Sequence, residues 1–179
     1  MKKLFLIMVI GALLITPSAR AQTFGTSGTT TVSVTVAAEA AIRIDTATTG
    51  LTATGTIFND YTGTTNFTYK VRTTQTGGTG NIQLQVTSDF SPSGGPSVAS
   101  PPSGGDTLAY TCTVSAPGTA CSGSQTSSTT AATAVATFGA NAHSTKAGNT
   151  GSTAWTLSND PVYVTGSYSA TVTYTISAT

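Results

Sequence analysis

Ser167–Ser177 reads SYSATVTYTIS, and its two parities separate without an error. Tyr168, Ala170, Val172, Tyr174 and Ile176 fall on one side, and Ser167, Ser169, Thr171, Thr173, Thr175 and Ser177 on the other. An extended chain turns successive side chains to opposite faces, so this segment is a strand with an apolar face for a core and a hydroxyl face for water. Shorter versions recur along the chain. Val32, Val34 and Val36 alternate within Thr29–Val36, and the same parity resumes at Ile42 and Ile44. Leu51, Ala53 and Ile57 alternate next, followed by Phe67, Tyr69 and Val71 and by Ile82, Leu84 and Val86. The turn sequence QTGGTGN between the last two sets predicts a hairpin. Leu108, Tyr110, Cys112 and Val114 form another set; Ala132–Phe138 is a strand of undecided parity, and Trp155 and Leu157 begin a short one.

Leu, Glu, Lys and Met are scarce beyond the first 21 residues and glycine is common, which disfavours helix. The expectation is an all-β, antiparallel, immunoglobulin-like sandwich of eight or nine strands with Greek-key-like connections. No repeat of fixed period points to a solenoid or propeller. Ser91–Asp106, SPSGGPSVASPPSGGD, reads as a long surface loop, too rich in Pro and Gly to hold a ladder.

Lys2 and Lys3, the apolar run Leu4–Ile15 and Ala19-Arg20-Ala21 have the pattern of a signal peptide over residues 1–21. The expectation is an exported chain, extracellular or at a cell surface after periplasmic transit, with one domain over 22–179 and no membrane span after cleavage. Beyond residue 21 there are four basic residues (Arg43, Lys70, Arg72, Lys146) and six acidic ones, a net charge of −2. That balance argues against nucleic acid as a partner. The 40 threonines, β-branched and hydroxylated, supply polar strand faces in place of charge.

Cys112 and Cys121 in an exported chain are expected to form a disulfide, since two thiols without nearby partners make a poor metal site. His143 beside Ser144, with Asp106 or Asp160 imagined as a third member, has no nucleophile-elbow context, so no enzyme activity and no cofactor is expected. Asn59-Asp60 and Asn159-Asp160 are isolated pairs at strand ends; they read as turn-stabilising residues rather than metal ligands. Trp155, Tyr61, Tyr110, Tyr163 and Phe67 could build a sugar platform, although Phe67 and Tyr110 have core parity and only Tyr61 is expected to be exposed. A secreted carbohydrate-binding module is therefore the alternative reading.

The stretches TTTVSVTVAAEAAIRI and VTGSYSATVTYTISA resemble the first and last strands of bacterial fimbrial subunits, especially spore coat protein U-like and chaperone–usher pilin domains. The resemblance implies a pilus-like fibre subunit whose amino-terminal extension completes the sandwich of the next subunit. Val32, Val34 and Val36 would then be donor residues, and Tyr168, Val172, Tyr174 and Ile176 would lie beside the receiving groove. The implied partners are further copies or related surface subunits, and a periplasmic chaperone. The alternative is that Thr29–Val36 is simply the first strand of a self-complete sandwich. A second resemblance, through Trp155-Thr156-Leu157 and the final Tyr168 to Ile176, is to the WxL cell-wall-binding domain.

Overall fold

A computed structural model describes residues 25–179, in which ten strands form two antiparallel sheets packed face to face. The strands are β1 (Glu39–Ile44), β2 (Thr52–Ala53), β3 (Tyr61–Arg72), β4 (Gly80–Ser91) and β5 (Leu108–Val114), then β6 (Thr119–Ala120), β7 (Gln125–Thr126), β8 (Thr133–Phe138), β9 (Asn149–Leu157) and β10 (Ser169–Ala178). One sheet runs β1-β3-β9-β5-β7, with β2 also paired to β3; the other runs β10-β4-β8-β6. All ten strands belong to the compact unit 35–179. The signal-peptide expectation for residues 1–21 lies outside the described residues.

Alternation becomes burial wherever a strand is covered on its inner face. Phe67, Tyr69 and Val71 of β3 face Ile82, Leu84 and Val86 of β4, all at most 4% exposed. Leu108, Tyr110, Val135, Phe138, Trp155 and Leu157 complete the core. Opposite Phe67 in the β3–β9 ladder stands Gly151, where a Cβ would come within 2.4 Å of the Phe67 ring. The missing side chain leaves that ring its place.

Several expectations are corrected. Thr29–Val36 is in no strand, and the first strand starts at Glu39. Of the expected strand Leu51–Ile57 only Thr52–Ala53 pairs, and Ile57 is exposed. β3 and β4 are not a hairpin: the QTGGTGN segment carries the chain from one sheet to the other, so the two alternating sets face each other across the core. The strand expected to begin at Trp155 begins at Asn149 instead and ends at Leu157. The ambiguous parity of Ala132–Phe138 has a local cause. The β4–β8 register slips at Ile82/Gln83, and Val135 and Ala136 are both buried.

The Pro/Gly-rich segment after β4 is organised by one side chain that the sequence did not single out. Asp89 accepts bonds from the Ser97 hydroxyl (2.6 Å) and from the N–H groups of Phe90 (2.8 Å), Val98 (2.8 Å) and Ala99 (3.1 Å). Desolvation pushes the Asp89 carboxyl up, but these donors outweigh it and its pKa lies below the ordinary carboxylate value. The folded pKa is the lower one, so this stabilisation is complete above the unfolded value of about 3.9 and fades as pH falls through the folded pKa. We predict that Asp89→Asn costs on the order of 1 kcal/mol at neutral pH after discounting for solvent screening. The variant should also show a flatter loss of stability in acid, read by urea unfolding between neutral pH and the acid limb.

Candidate functional site: an open strand edge

The two lateral sides of the sandwich are built differently. On one side, β5 and β7 face β8 and β6, and the Cys112–Cys121 disulfide joins them. Cys112 belongs to β5, and Cys121 follows β6 with its N–H on the Val135 carbonyl of β8 (2.9 Å), so the bond staples one sheet to the other. On the opposite side, β1 lies close to β10, but among the described residues no disulfide or hydrogen bond joins these two edge strands.

Among the described residues the backbone ladder of β10 is with β4 alone. From Val172 to Ala178 the pairing with Val86 to Gly80 runs in regular register, and this stretch contains no charged residue and no proline. Edge strands are commonly guarded by charge, proline or a bulge, because an unguarded row of N–H and C=O groups accepts another strand. The edge strand β1, in contrast, carries Glu39 and Arg43. The apolar face of β10 is also incompletely covered: Ala170, Val172, Tyr174, Ile176 and Ala178 are half-buried, whereas Val86, Leu84 and Ile82, the β4 partners of Val172, Tyr174 and Ile176, are sealed. Tyr174 is held from within, its ring beside Phe67 (centroids 5.8 Å apart) and its hydroxyl bonded to that of Thr153 on β9.

Of the residues expected beside a receiving groove, Val172, Tyr174 and Ile176 sit together on this face. Tyr168 does not, because it precedes β10; its hydroxyl bonds the Val164 carbonyl (2.6 Å) and its ring lies over Gly95. The expected donors Val32, Val34 and Val36 are exposed, at 90%, 84% and 62%. The sugar-platform residues disperse into the interior: Trp155 is 5% exposed with its indole N–H on Thr65 Oγ1 (2.9 Å), Phe67 and Tyr110 are buried, and Tyr61 is half-buried against the core.

His143 and Ser144 lie in a cleft of about 450 Å³ beside β3. Ser144 Oγ accepts the Val71 N–H (2.9 Å), and neither Asp106 nor Asp160 lines the cleft. Lys70, Arg72 and Lys146 do, so three of the four basic side chains among the described residues converge on one depression. Arg72 is paired with Glu39 (2.8 Å), while Lys70 and Lys146 have no carboxylate partner among the described residues. Lys70 and Arg72 are two apart on one strand, a spacing legible in sequence; their meeting with Lys146 and His143 depends on the loop before β9.

The chain matches no protein-family model, no curated protein and no solved structure.

Because the disulfide is the covalent link on the stapled side, Cys112→Ser/Cys121→Ser should lose about 2 to 3 kcal/mol of unfolding free energy, the loop-entropy value for a closed segment of this size. Urea titration of the oxidised and double-serine proteins, under conditions where both are monomeric, measures the difference.

Proposed function

We propose that this chain is a non-enzymatic, exported structural subunit that assembles by strand complementation, with Thr29–Val36 of one copy adding to β10 of another. The observation that carries the reading is the edge of β10 from Val172 to Ala178: a stretch in regular register, uncharged and proline-free, whose apolar face is half-covered. The physics is that of β-augmentation, in which backbone bonds supply affinity and alternate side chains fill the gaps along the groove. Thr29–Val36 has the matching chemistry, with three valines at period two and hydroxyl residues between them.

Chain geometry favours insertion between copies over insertion within one. Val36 is three residues from Glu39, where β1 begins, so the connection spans at most about 10 to 11 Å when fully stretched. Packed sheets are about 10 Å apart, which leaves no residues for the reversal needed to lay the segment along β10 of its own chain. A neighbouring copy imposes no such limit.

Light scattering and electron microscopy of the protein from Gln22 onward test this reading. The expected result is a ladder of oligomers or filaments that disappears when Val32, Val34 and Val36 are all made serine. A chain lacking Thr29–Val36 but carrying those eight residues after Thr179, through a short turn, should be a monomer of raised stability. A monodisperse wild-type monomer, or filaments indifferent to the serine changes, refutes it.

The cationic cleft favours an adhesive contact as a second reading, with an acidic sugar chain as the ligand. Two unpaired lysines supply charge-assisted bonds to carboxylate or sulfate groups, Ser144 and Thr145 line the same cleft, and the Arg72–Glu39 pair forms part of its wall. The aromatic platform of a neutral-sugar module is not supported, because Trp155 is inside. Retention on immobilised polygalacturonate at low salt should fall about tenfold or more in Lys70→Gln/Lys146→Gln, a loss of at least about 1.4 kcal/mol. Arg43→Gln removes charge elsewhere and should leave retention nearly unchanged; an effect that follows net charge alone counts against the cleft.

A further inference from the structure

Two surfaces of opposite chemistry lie at the two ends of β3. The strand is 12 residues long, so at about 3.3 Å per residue its ends are roughly 36 Å apart. At one end Tyr61 pairs with Ala53 and with Leu157, so the turn 54–60 and the loop after β9 both leave the sandwich there. These two segments carry Ile57, Phe58, Val162 and Val164, all exposed, Ile57 at 88% and Phe58 at 57%. At the other end Arg72 pairs with Glu39, and the cleft that holds Lys70, Lys146 and His143 opens beside them.

The turn 54–60 holds an aromatic side chain in water. Phe58 takes φ +58°, a left-handed conformation that a bulky side chain rarely adopts. Asn59 sustains it: its Nδ2 donates to the Thr54 carbonyl (2.8 Å), its Oδ1 accepts the Thr56 hydroxyl (2.9 Å), and its N–H donates to the Thr56 carbonyl (3.4 Å). None of these bonds buries Ile57 or Phe58. A strained backbone held by polar contacts, with its two largest side chains left exposed, is preorganised for a contact that the single chain does not make.

Charge identifies the partner. Two residues after Phe58, Asp60 is exposed and has no cationic partner among the described residues. Asp160 stands two residues before Val162, and no basic residue occurs in 54–60 or 158–168. The cleft has the converse chemistry: Ala40, Ala41 and Val71 give it an apolar wall, and Lys70 and Lys146 stand there without a carboxylate. An apolar tip flanked by carboxylates and an apolar wall flanked by lysines are complementary, and both belong to this chain.

We infer that the Ile57–Asp60 turn of one copy docks in the Lys70/Lys146 cleft of another, with Phe58 against the apolar wall and Asp60 paired with the lysines. Because the two surfaces lie at opposite ends of one strand, the contact is heterologous and joins copies head to tail. The aromatic anchor supplies affinity, and the charges around it fix orientation. The inference rests on the self-assembly proposed above, though not on which segment fills the edge of β10. Within such an assembly each cleft is filled by a neighbour, and only a terminal copy keeps one open to an acidic sugar.

Sedimentation velocity on the protein from Gln22 onward reads the association. Phe58→Gly suits the left-handed backbone, so it should keep or raise the stability of the single chain while weakening self-association at least tenfold. Lys70→Glu/Lys146→Glu and Asp60→Lys should each weaken it comparably when alone. An equimolar mixture of these two variants should associate again, because each then meets the opposite charge on the other. The inference is overturned if Phe58→Gly associates like the wild type, or if the mixture stays apart. Assembly that is lost on changing Val32, Val34 and Val36 to serine, yet is indifferent to the turn and cleft variants, overturns this contact and leaves strand complementation standing. Assembly that responds to the turn and cleft variants and ignores the serine changes does the reverse. A wild-type monomer at all concentrations overturns both.

Discussion

Tyrosine side chains that cross the layer between the sheets set the constraint on which this sandwich depends. Tyr110 leaves β5 and ends with its hydroxyl on Thr133 Oγ1 and the Ala134 carbonyl of the other sheet, both at 2.8 Å. Tyr174 crosses in the opposite direction from β10 to Thr153 of β9. A ring that spans the core gives apolar area along its length, and its hydroxyl must find an acceptor at the far side. The two sheets are thereby located against each other by polar contacts as well as by packing. The remaining cross-layer pairs, Phe67 with Tyr174 and Tyr69 with Phe138, fill the space between those tethers.

The asymmetry of the sandwich follows from where its covalent and non-covalent links fall. The Cys112–Cys121 bond and the short strands β6 and β7 draw the sheets together on one side. On the other side no disulfide or hydrogen bond joins β1 to β10 among the described residues, and Tyr174 of β10 reaches inward to Phe67 of β3 and Thr153 of β9. A strand that has no hydrogen-bonded neighbour beyond β4, and no charge to repel one, is an unfinished edge. The proposed assembly finishes it with a segment of the same chemistry.

Polar order in the loops comes from single carboxylates used in different ways. Asp89 is fully engaged by four donors and holds a Pro/Gly-rich loop that composition alone would leave unstructured. Asp45 accepts Thr68 and Arg43 at the surface, which lowers its pKa. Asp106 is buried, at 6% exposure, and lies beside the Tyr163 hydroxyl, whose pKa it helps to raise.

The all-β class, the inward residues of β3, β4, β5 and β10 and the Cys112–Cys121 pairing were legible in the sequence, because alternation and composition are local properties that survive any arrangement of strands. What remained hidden was everything set by contacts distant along the chain. Period two says that Phe67–Val71 and Ile82–Val86 each have an inner face, yet it is the same whether two strands pair edge to edge or stack across a core. The bulge opposite Ile82 erased the parity of β8, and the side chain of Asp89, unremarkable in sequence, organised a loop through groups eight to ten residues away. Likewise the gathering of Lys70, Arg72 and Lys146 and the open edge of β10 are consequences of strand order and register. The alternation of side chains is dictated residue by residue, whereas the partner of each edge is chosen by the burial of the whole, and only the folded chain makes that choice.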